Sequence, residues 1–471
     1  MELRALIPLT WTILALLAFP GSLPAADGDL PNMATSATVE LAGPRGSDKH
    51  VYAHFMTWFK TRDFSGEWQM WNSGFEQLTH DPDVILDNGH RDAATIDYPL
   101  TGLYDSSDPD VVEYQFLLMK LAGIEGIIVD WNGRRISPHV HESLLRILPF
   151  LDRFGMKLIM CFEEWAGYWP RDHFPSHGEG FDAATSEVLY LMNEIASMPC
   201  YGVVRGAKPV LVFRKIPDLW YGVGEWERLA PVITSRGGGV LFDEGGYAQL
   251  HQVSDGKYFW IGDFPAGKSY STLAWSEEAY NWFLENKTNG PARVAAPMFF
   301  GSVFPGFNDT PVWGWSGNPR IGPRYDGKRF EKMWEMSIAA NLDLVQVVTW
   351  NDWNEGTQIE PADTYGFKYL EITKRRAAEY RGEPDKVPDT ALRLPLKLFN
   401  ARKAAATAAT SESATLALDR VRDLLLDGSF DEAAVRTDAV LKKLQPLASS
   451  DPSAAADRGT SNTQPARNAE D

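Results

Sequence analysis

Two carboxylic acids three residues apart, Asp352 and Glu355, stand beside two tryptophans in the run Trp350-Asn351-Asp352-Trp353-Asn354-Glu355. A single turn at this spacing can aim both acids into one pocket. Cleavage of a glycosidic bond needs such a pair: one acid protonates the departing oxygen, and a second carboxylate acts on the sugar or on water. Trp350 and Trp353 offer flat apolar faces of the kind on which sugar rings stack. Burial against them would raise one carboxyl pKa and keep that group protonated near neutral pH. The spacing does not say which acid that is, nor how far apart the carboxyls lie. Leu344, Val345, Val347 and Val348 just before them read as a buried strand. A rigid strand running out into reactive side chains suits a catalytic floor.

The same pattern recurs along the chain. Strands are expected at Val51–Phe59, Gly126–Asn132, Lys157–Glu163, Pro209–Lys215, Val240–Glu244, Tyr258–Phe264, Val294–Phe304 and Leu344–Trp350. Helical periodicity fills most gaps, at Val111–Ala122, His141–Phe154, Ala183–Ala196, Trp226–Ser235, Glu277–Asn286, Phe330–Ala340 and Tyr365–Tyr380. Continuous apolar strands alternating with helices imply a parallel sheet covered on both faces. Eight such units imply an α/β fold, a (β/α)8 TIM barrel, with an open doubly wound sheet as the competitor. Polar residues end nearly every strand, which suits a barrel mouth. Asp130 with Trp131, Glu163, Arg214, Asp243 and Asp263 can each hydrogen-bond sugar hydroxyls from there. His54 and Trp58 lie in the first strand, and His54 can orient a hydroxyl. Residues 60–110 hold no long helix but many Trp, Asp, His and Gly, as a site-building loop does. Gln358 and Glu360 anchor the last loop or touch substrate.

Composition narrows the partners. The 471 residues carry 63 acids against 45 bases, a net charge of −18, which disfavours nucleic acid and anionic membrane surfaces. No paired histidines at helical spacing and no Asp-rich calcium loop are present, so no metal and no other cofactor is expected. Arg4, the apolar run Leu6–Phe19 and the small residues to Ala26 read as an export signal over residues 1–26, hence a secreted or periplasmic protein. Residues 27–48 read as a leader, 49–378 as the barrel, 379–447 as a small C-terminal helical appendage and 448–471 as a disordered tail. In the appendage, Leu392–Leu398 is an amphipathic fragment, and Ala404–Leu426 and Phe430–Leu444 read as a helical pair. The only cysteines, Cys161 and Cys200, form one bridge or remain two buried thiols.

Trp350–Ala362, WNDWNEGTQIEPA, resembles the W-N-E-W-x-E-G-T-x-I-E-P-A signature of the family 99 endo-α-mannosidases and endomannanases, and of the related family 71 α-1,3-glucanases. His54–Trp58, the Tyr104-Asp105 segment up to Asp108, Gly123–Trp131, Val303–Thr310 and Arg324–Gly327 resemble further pieces of the same pattern. The resemblance spans roughly residues 50–375, and only the Trp350–Ala362 motif is specific. It implies a metal-independent barrel that cuts an α-linked polysaccharide or oligosaccharide internally. By the same resemblance Glu355 is the general acid/base. Asp352 assists by deprotonating the sugar 2-hydroxyl, through an anhydro-sugar intermediate with net retention. Family 99 has Glu where this chain has Asp352, and one methylene less withdraws the carboxylate by roughly 1.5 Å. Asp at this place resembles family 71, where the pair works by inversion, so both stereochemical outcomes stay open. Two other functions stay open as well: a non-catalytic glycan-binding homologue, and a glycosyl-transferring enzyme of polysaccharide assembly.

Overall fold

Strand alternation explains the architecture. The computed structural model describes residues 49–74, 79–164, 176–213, 221–243, 250–261, 273–285, 294, 297–315, 319–406 and 411–444. Eight parallel strands close into a barrel: β1 His50–Phe55, β2 Gly126–Trp131, β3 Lys157–Glu163, β4 Lys208–Phe213, β5 Gly238–Asp243, β6 Gly256–Tyr258, β7 Met298–Val303 and β8 Leu344–Val347. β8 pairs with β1 and shuts the cylinder, with Val51 opposite Val345. Successive side chains point to opposite faces. Tyr52, Ile128, Ile159, Leu211, Leu241, Tyr258, Phe300 and Leu344 therefore fill the barrel interior as one cluster. Val51, Ile127, Leu158, Val210, Val240 and Val345 belong to the other cluster, under the helices. Gly126 makes room for Tyr52: a Cβ there would lie 2.3 Å from its ring.

Helices α1 Pro109–Leu121, α2 Pro138–Phe154, α3 His177–Tyr190, α4 Val223–Thr234, α5 Leu273–Glu285, α6 Lys328–Ala340 and α7 Lys368–Arg381 follow strands β1, β2, β3, β4, β6, β7 and β8, and the 3₁₀ turn His251–Val253 precedes β6. The expected helix Ala183–Ala196 begins earlier, at His177, and passes into a π-turn over Leu191–Ile195. The sixth strand, Gly256–Tyr258, lies ahead of the expected Tyr258–Phe264 and shares only Tyr258 with it. Cys161 and Cys200 are unpaired and buried. Among the described residues no helix is long and apolar enough to cross a membrane. Residues 1–48, the tail from 445, Arg214 and Asp263 lie outside the described residues.

The appendage differs from the expected pair. Three helices, α8 Leu394–Ala406, α9 Ser411–Leu426 and α10 Phe430–Leu444, follow the barrel, and Ala404 belongs to the first. They explain a peculiarity of α1, where every residue from Val111 to Leu121 is buried, Glu113, Gln115 and Lys120 included. A helix buried all round has neighbours on both sides. The barrel covers one side of α1, and on the other Tyr114 meets Phe399 at 5.7 Å. Arg402 grips Glu113 with Nε on Oε1 and Nη2 on Oε2, and also reaches Asp419. Lys403 joins Asp108 and Asp110, and Asp108 caps α1 by accepting from Asp110 N at 2.9 Å.

Removing one member of a buried pair strands the other charge. Arg402→Ala is expected to cost about 3 kcal/mol by urea unfolding, within the range for a broken buried pair. The double variant Arg402→Met/Glu113→Leu is expected to recover most of that loss.

Candidate active site

The chain leaves β8 and builds a closed loop over residues 349–360. Its ends pair like short strands: Thr349 N donates to Thr357 O, Ile359 N to Thr349 O and Glu360 N to Trp350 O. Nearly every polar side chain in the loop is committed to scaffold. Asn351 takes Met56 N on Oδ1 at 2.7 Å and returns Nδ2 to Met56 O at 2.9 Å, riveting the loop to the end of β1. Asn354 Nδ2 donates to Met70 O and Ala94 O in the long first loop. The Thr349 and Thr357 hydroxyls lie 3.0 Å apart. Gln358 Nε2 donates to Asp97 Oδ2 at 2.8 Å. Arg324 Nη2 donates to Gly356 O and Gln358 O from the loop after β7.

Asp352 and Glu355 remain, and the turn brings them together. Glu355 N donates to Asp352 Oδ1 at 3.1 Å, and Asp352 N donates to Thr349 Oγ1 at 2.8 Å. A carboxylate that folds back onto the backbone two or three residues on is what a short Asp side chain does. Asp352 is 4% exposed, while Glu355 is half-buried. Burial pushes the Asp352 carboxyl well above the carboxylate range, the Glu355 carboxylate adds to it, and the backbone N–H groups pull only partly back. Trp315 Nε1 donates to Glu355 Oε1 at 3.1 Å. Trp315 comes from the loop after β7, where Trp313, Gly314 and Trp315 have φ of 49°, 62° and 56°. For the two tryptophans this left-handed backbone costs about 1 kcal/mol each. It is held by Asp309, whose carbonyl receives Gly314 N and whose carboxylate receives Arg320.

Strand parity sorts the remaining candidates. His54, Asp130, Glu163 and Asp243 share the inward parity of the barrel cluster. Asn132 Nδ2 donates to Glu163 Oε2 at 3.1 Å. Trp58 is half-buried beyond β1, and its indole N–H has no partner among the described residues.

Several expected contacts prove to be scaffold. Trp131 has the opposite parity to Asp130, so it packs beneath the helices against Tyr190 and His141. Trp350 and Trp353 are 0% exposed and offer no face to a sugar. Trp353 spends its N–H on Tyr104 Oη and Glu360 Oε2. Tyr104 is buried, donating to Glu360 and accepting from Asn351 and Trp353. Asp105 anchors the first loop through Thr61 N, Ser65 and Ser107 N. His54 is fully buried with both ring nitrogens engaged, by Asp130 and Gln346. Gln358 is sealed against Asp97.

Sequence reasoning passed over Trp315, although a Trp-Gly-Trp run in a loop was a visible signal. It also passed over Gln346, the one polar residue inside an apolar strand. His54, Asp130 and Cys161 gather three potential metal-donor atoms within 4.8 Å. Hydrogen bonds already occupy all three, so the set reads as a closed polar cluster.

The model of the glycosyl hydrolase family 99 matches residues 254–383. The glycoprotein endo-α-1,2-mannosidase of Xenopus laevis is 23% identical over 384 residues, covering 73% of this chain and 79% of its own. The mouse (Mus musculus) glycoprotein endo-α-1,2-mannosidase-like protein is 31% identical over 312 residues, covering 61% and 66%. The solved structure of the family 99 endo-α-mannosidase from Bacteroides thetaiotaomicron shares the fold, with a TM-score of 0.54 at 22% identity over 71% of this chain and 98% of that one.

Glu360 generates a pH prediction. It is fully buried and accepts from Tyr104, Gln115 and Trp353. Burial outweighs the three donors and pushes its carboxyl from the usual 4.5 up to about 7. A folded-state pKa above the unfolded one gives stability that is full below the unfolded value and lost as pH rises through the folded one. Between pH 4.5 and about 7 this group is expected to remove about 3 kcal/mol. Glu360→Gln is expected to flatten that part of the stability–pH curve, measured by denaturant unfolding at a series of pH values, whatever its absolute stability.

Proposed function

We propose that this chain, a family 99-like glycoside hydrolase on a (β/α)8 barrel, cleaves an α-linked mannan or glucan internally with the Asp352–Glu355 pair. The observation that carries the reading is that one turn brings Asp352 and Glu355 together while the other polar side chains of the loop are held by scaffold. Asn351, Asn354, Thr357, Gln358 and Glu360 each keep at least one side-chain hydrogen bond to it. The similarity to endo-α-1,2-mannosidases favours an α-mannoside as substrate.

The roles follow from the two environments. Glu355 is the more open acid, and Trp315 occupies one of its oxygens. It acts as general acid, giving its proton to the leaving oxygen as the glycosidic C–O bond breaks. Asp352 sits deeper, and burial raises its proton affinity, so its ionised form accepts a proton well. It takes the proton of the attacking oxygen, either the sugar 2-hydroxyl or a water. The reacting form carries one proton, on Glu355; that proton leaves with the departing oxygen, and the one taken from the attacking oxygen ends on Asp352. On the 2-hydroxyl route a water then opens the anhydro-sugar, with Glu355 accepting and Asp352 returning a proton. Trp58, Asp130, Glu163 and Asp243 line the approach and hold sugar hydroxyls.

Glu355→Gln is expected to lower turnover of α-mannan or α-1,3-glucan oligosaccharides by about three decades while binding persists. Full activity in that variant would remove Glu355 from the chemistry. Product anomers followed by NMR separate retention through the 2-hydroxyl from inversion through water. Glycan binding without any turnover by the wild type would restore the reading of a non-catalytic binder.

A further inference from the structure

The loop after β7 holds Glu355 both by its backbone and by its side chain. The two arms of this loop pair antiparallel, Phe307 opposite Gly322 and Asn308 opposite Ile321. From the first arm Asn308 N donates to Glu355 O at 2.7 Å. Gly356, at φ 65°, lets the two backbones approach, since a Cβ there would lie 2.9 Å from Asn308 O. From the crown of the loop Trp315 Nε1 donates to Glu355 Oε1 at 3.1 Å. The crown is itself fixed by Asp309, which is fully buried. Its carbonyl accepts from Val312 N and Gly314 N, and its carboxylate from Arg320 N and Arg320 Nε. His80 Nε2 lies 3.0 Å from Pro311 O and ties the crown to the long first loop. Left-handed backbone such as that of Trp315 persists only where the surroundings over-determine it, and it gathers at functional sites.

We infer that Trp315 is a positioning residue for the proton transfer: its indole fixes the rotation of the Glu355 carboxyl, so that the proton leaves toward the glycosidic oxygen. This rests on the reading of Glu355 as the general acid. A glutamate carboxyl turns about three side-chain bonds, and the last of these torsions is broad. Glu355 is half-buried, so packing alone leaves that freedom in place. A reacting group misplaced by about 1 Å can lose a hundredfold in rate. Asn308 secures the backbone end of the side chain, and Trp315 secures the carboxyl end. An indole N–H donates and does nothing else. It holds Oε1 whether the carboxyl is protonated or ionised, and it can neither supply nor remove the travelling proton. In the step it serves, the O–H bond of Glu355 breaks and a new O–H bond forms on the leaving oxygen. That oxygen keeps the electron pair of the broken glycosidic C–O bond.

The test separates protonation from everything else the loop does. A 2,4-dinitrophenolate departs without a proton, whereas a sugar hydroxyl needs one. kcat/KM is therefore compared for the mannan or glucan oligosaccharide that the wild type cleaves and for the same glycone carrying 2,4-dinitrophenol. Trp315→Phe keeps an aromatic ring and loses the donor. Its kcat/KM is expected to fall by roughly 30-fold on the oligosaccharide and by less than about threefold on the dinitrophenyl glycoside. Equal falls on both substrates, the mark of a merely structural residue, overturn the inference, and so does no fall on either. Should Trp315→Phe not fold, replacement of Trp315 by benzothienylalanine decides by the same criterion, since that side chain keeps the bicyclic ring with sulfur in place of N–H. Glu355→Gln measured alongside keeps the two readings apart. A split between the substrates in Glu355→Gln but not in Trp315→Phe removes Trp315 and leaves the acid. No split in Glu355→Gln removes the acid itself, and the role of Trp315 with it.

Discussion

Two carboxyl groups share one turn, and one of them is nearly dry. Burial holds the Asp352 carboxyl well above the carboxylate range, and the neighbouring Glu355 carboxylate opposes its ionisation further. Asp352 meets backbone N–H groups and a third acid, and Glu355 meets an indole. These donors orient the two acids within the turn.

Holding such a turn in place requires stiffness around it. The loop over residues 349–360 is tied to β1 by Asn351, to the long first loop by Asn354 and Gln358, and to the loop after β7 through Arg324. These three attachments come from parts of the chain far apart in sequence, and the closed barrel brings them to one end. Glu360 extends the network outward. It receives Gln115 of α1, whose neighbour Glu113 is held by Arg402 of α8. The bracing of the turn thus reaches the outermost helical layer.

The barrel was legible because its strands are continuous apolar runs and its helices have clear periodicity. Period-two alternation within those runs already separates Asp130 from Trp131, and applying it would have put the tryptophan under the helices. The acids at the centre were legible from type and spacing. The tryptophans beside them misled, because an aromatic next to an acid in sequence need not share its environment in space. Trp350 and Trp353 turn into the core as the loop closes. Tyr104 and Asp105 were legible as important but not as scaffold, since a polar side chain that builds a site and one that touches a ligand look alike until partners are known. Trp315 depends on a left-handed backbone run, which no periodicity reveals. The third appended helix was missed because alanine-rich sequence reads as helix throughout and marks its breaks poorly.

The full burial of α1 bears on how such a molecule can be inherited and reshuffled. A helix with no wet face has no spare side, so the barrel and its three-helix cover cannot be exchanged separately. A recombination event that carried away the barrel alone would bare Tyr114 and its neighbours and leave Glu113 without its guanidinium. Its product would be lost to aggregation before any selection on chemistry could act. The smallest transferable unit is therefore the barrel together with α8, α9 and α10.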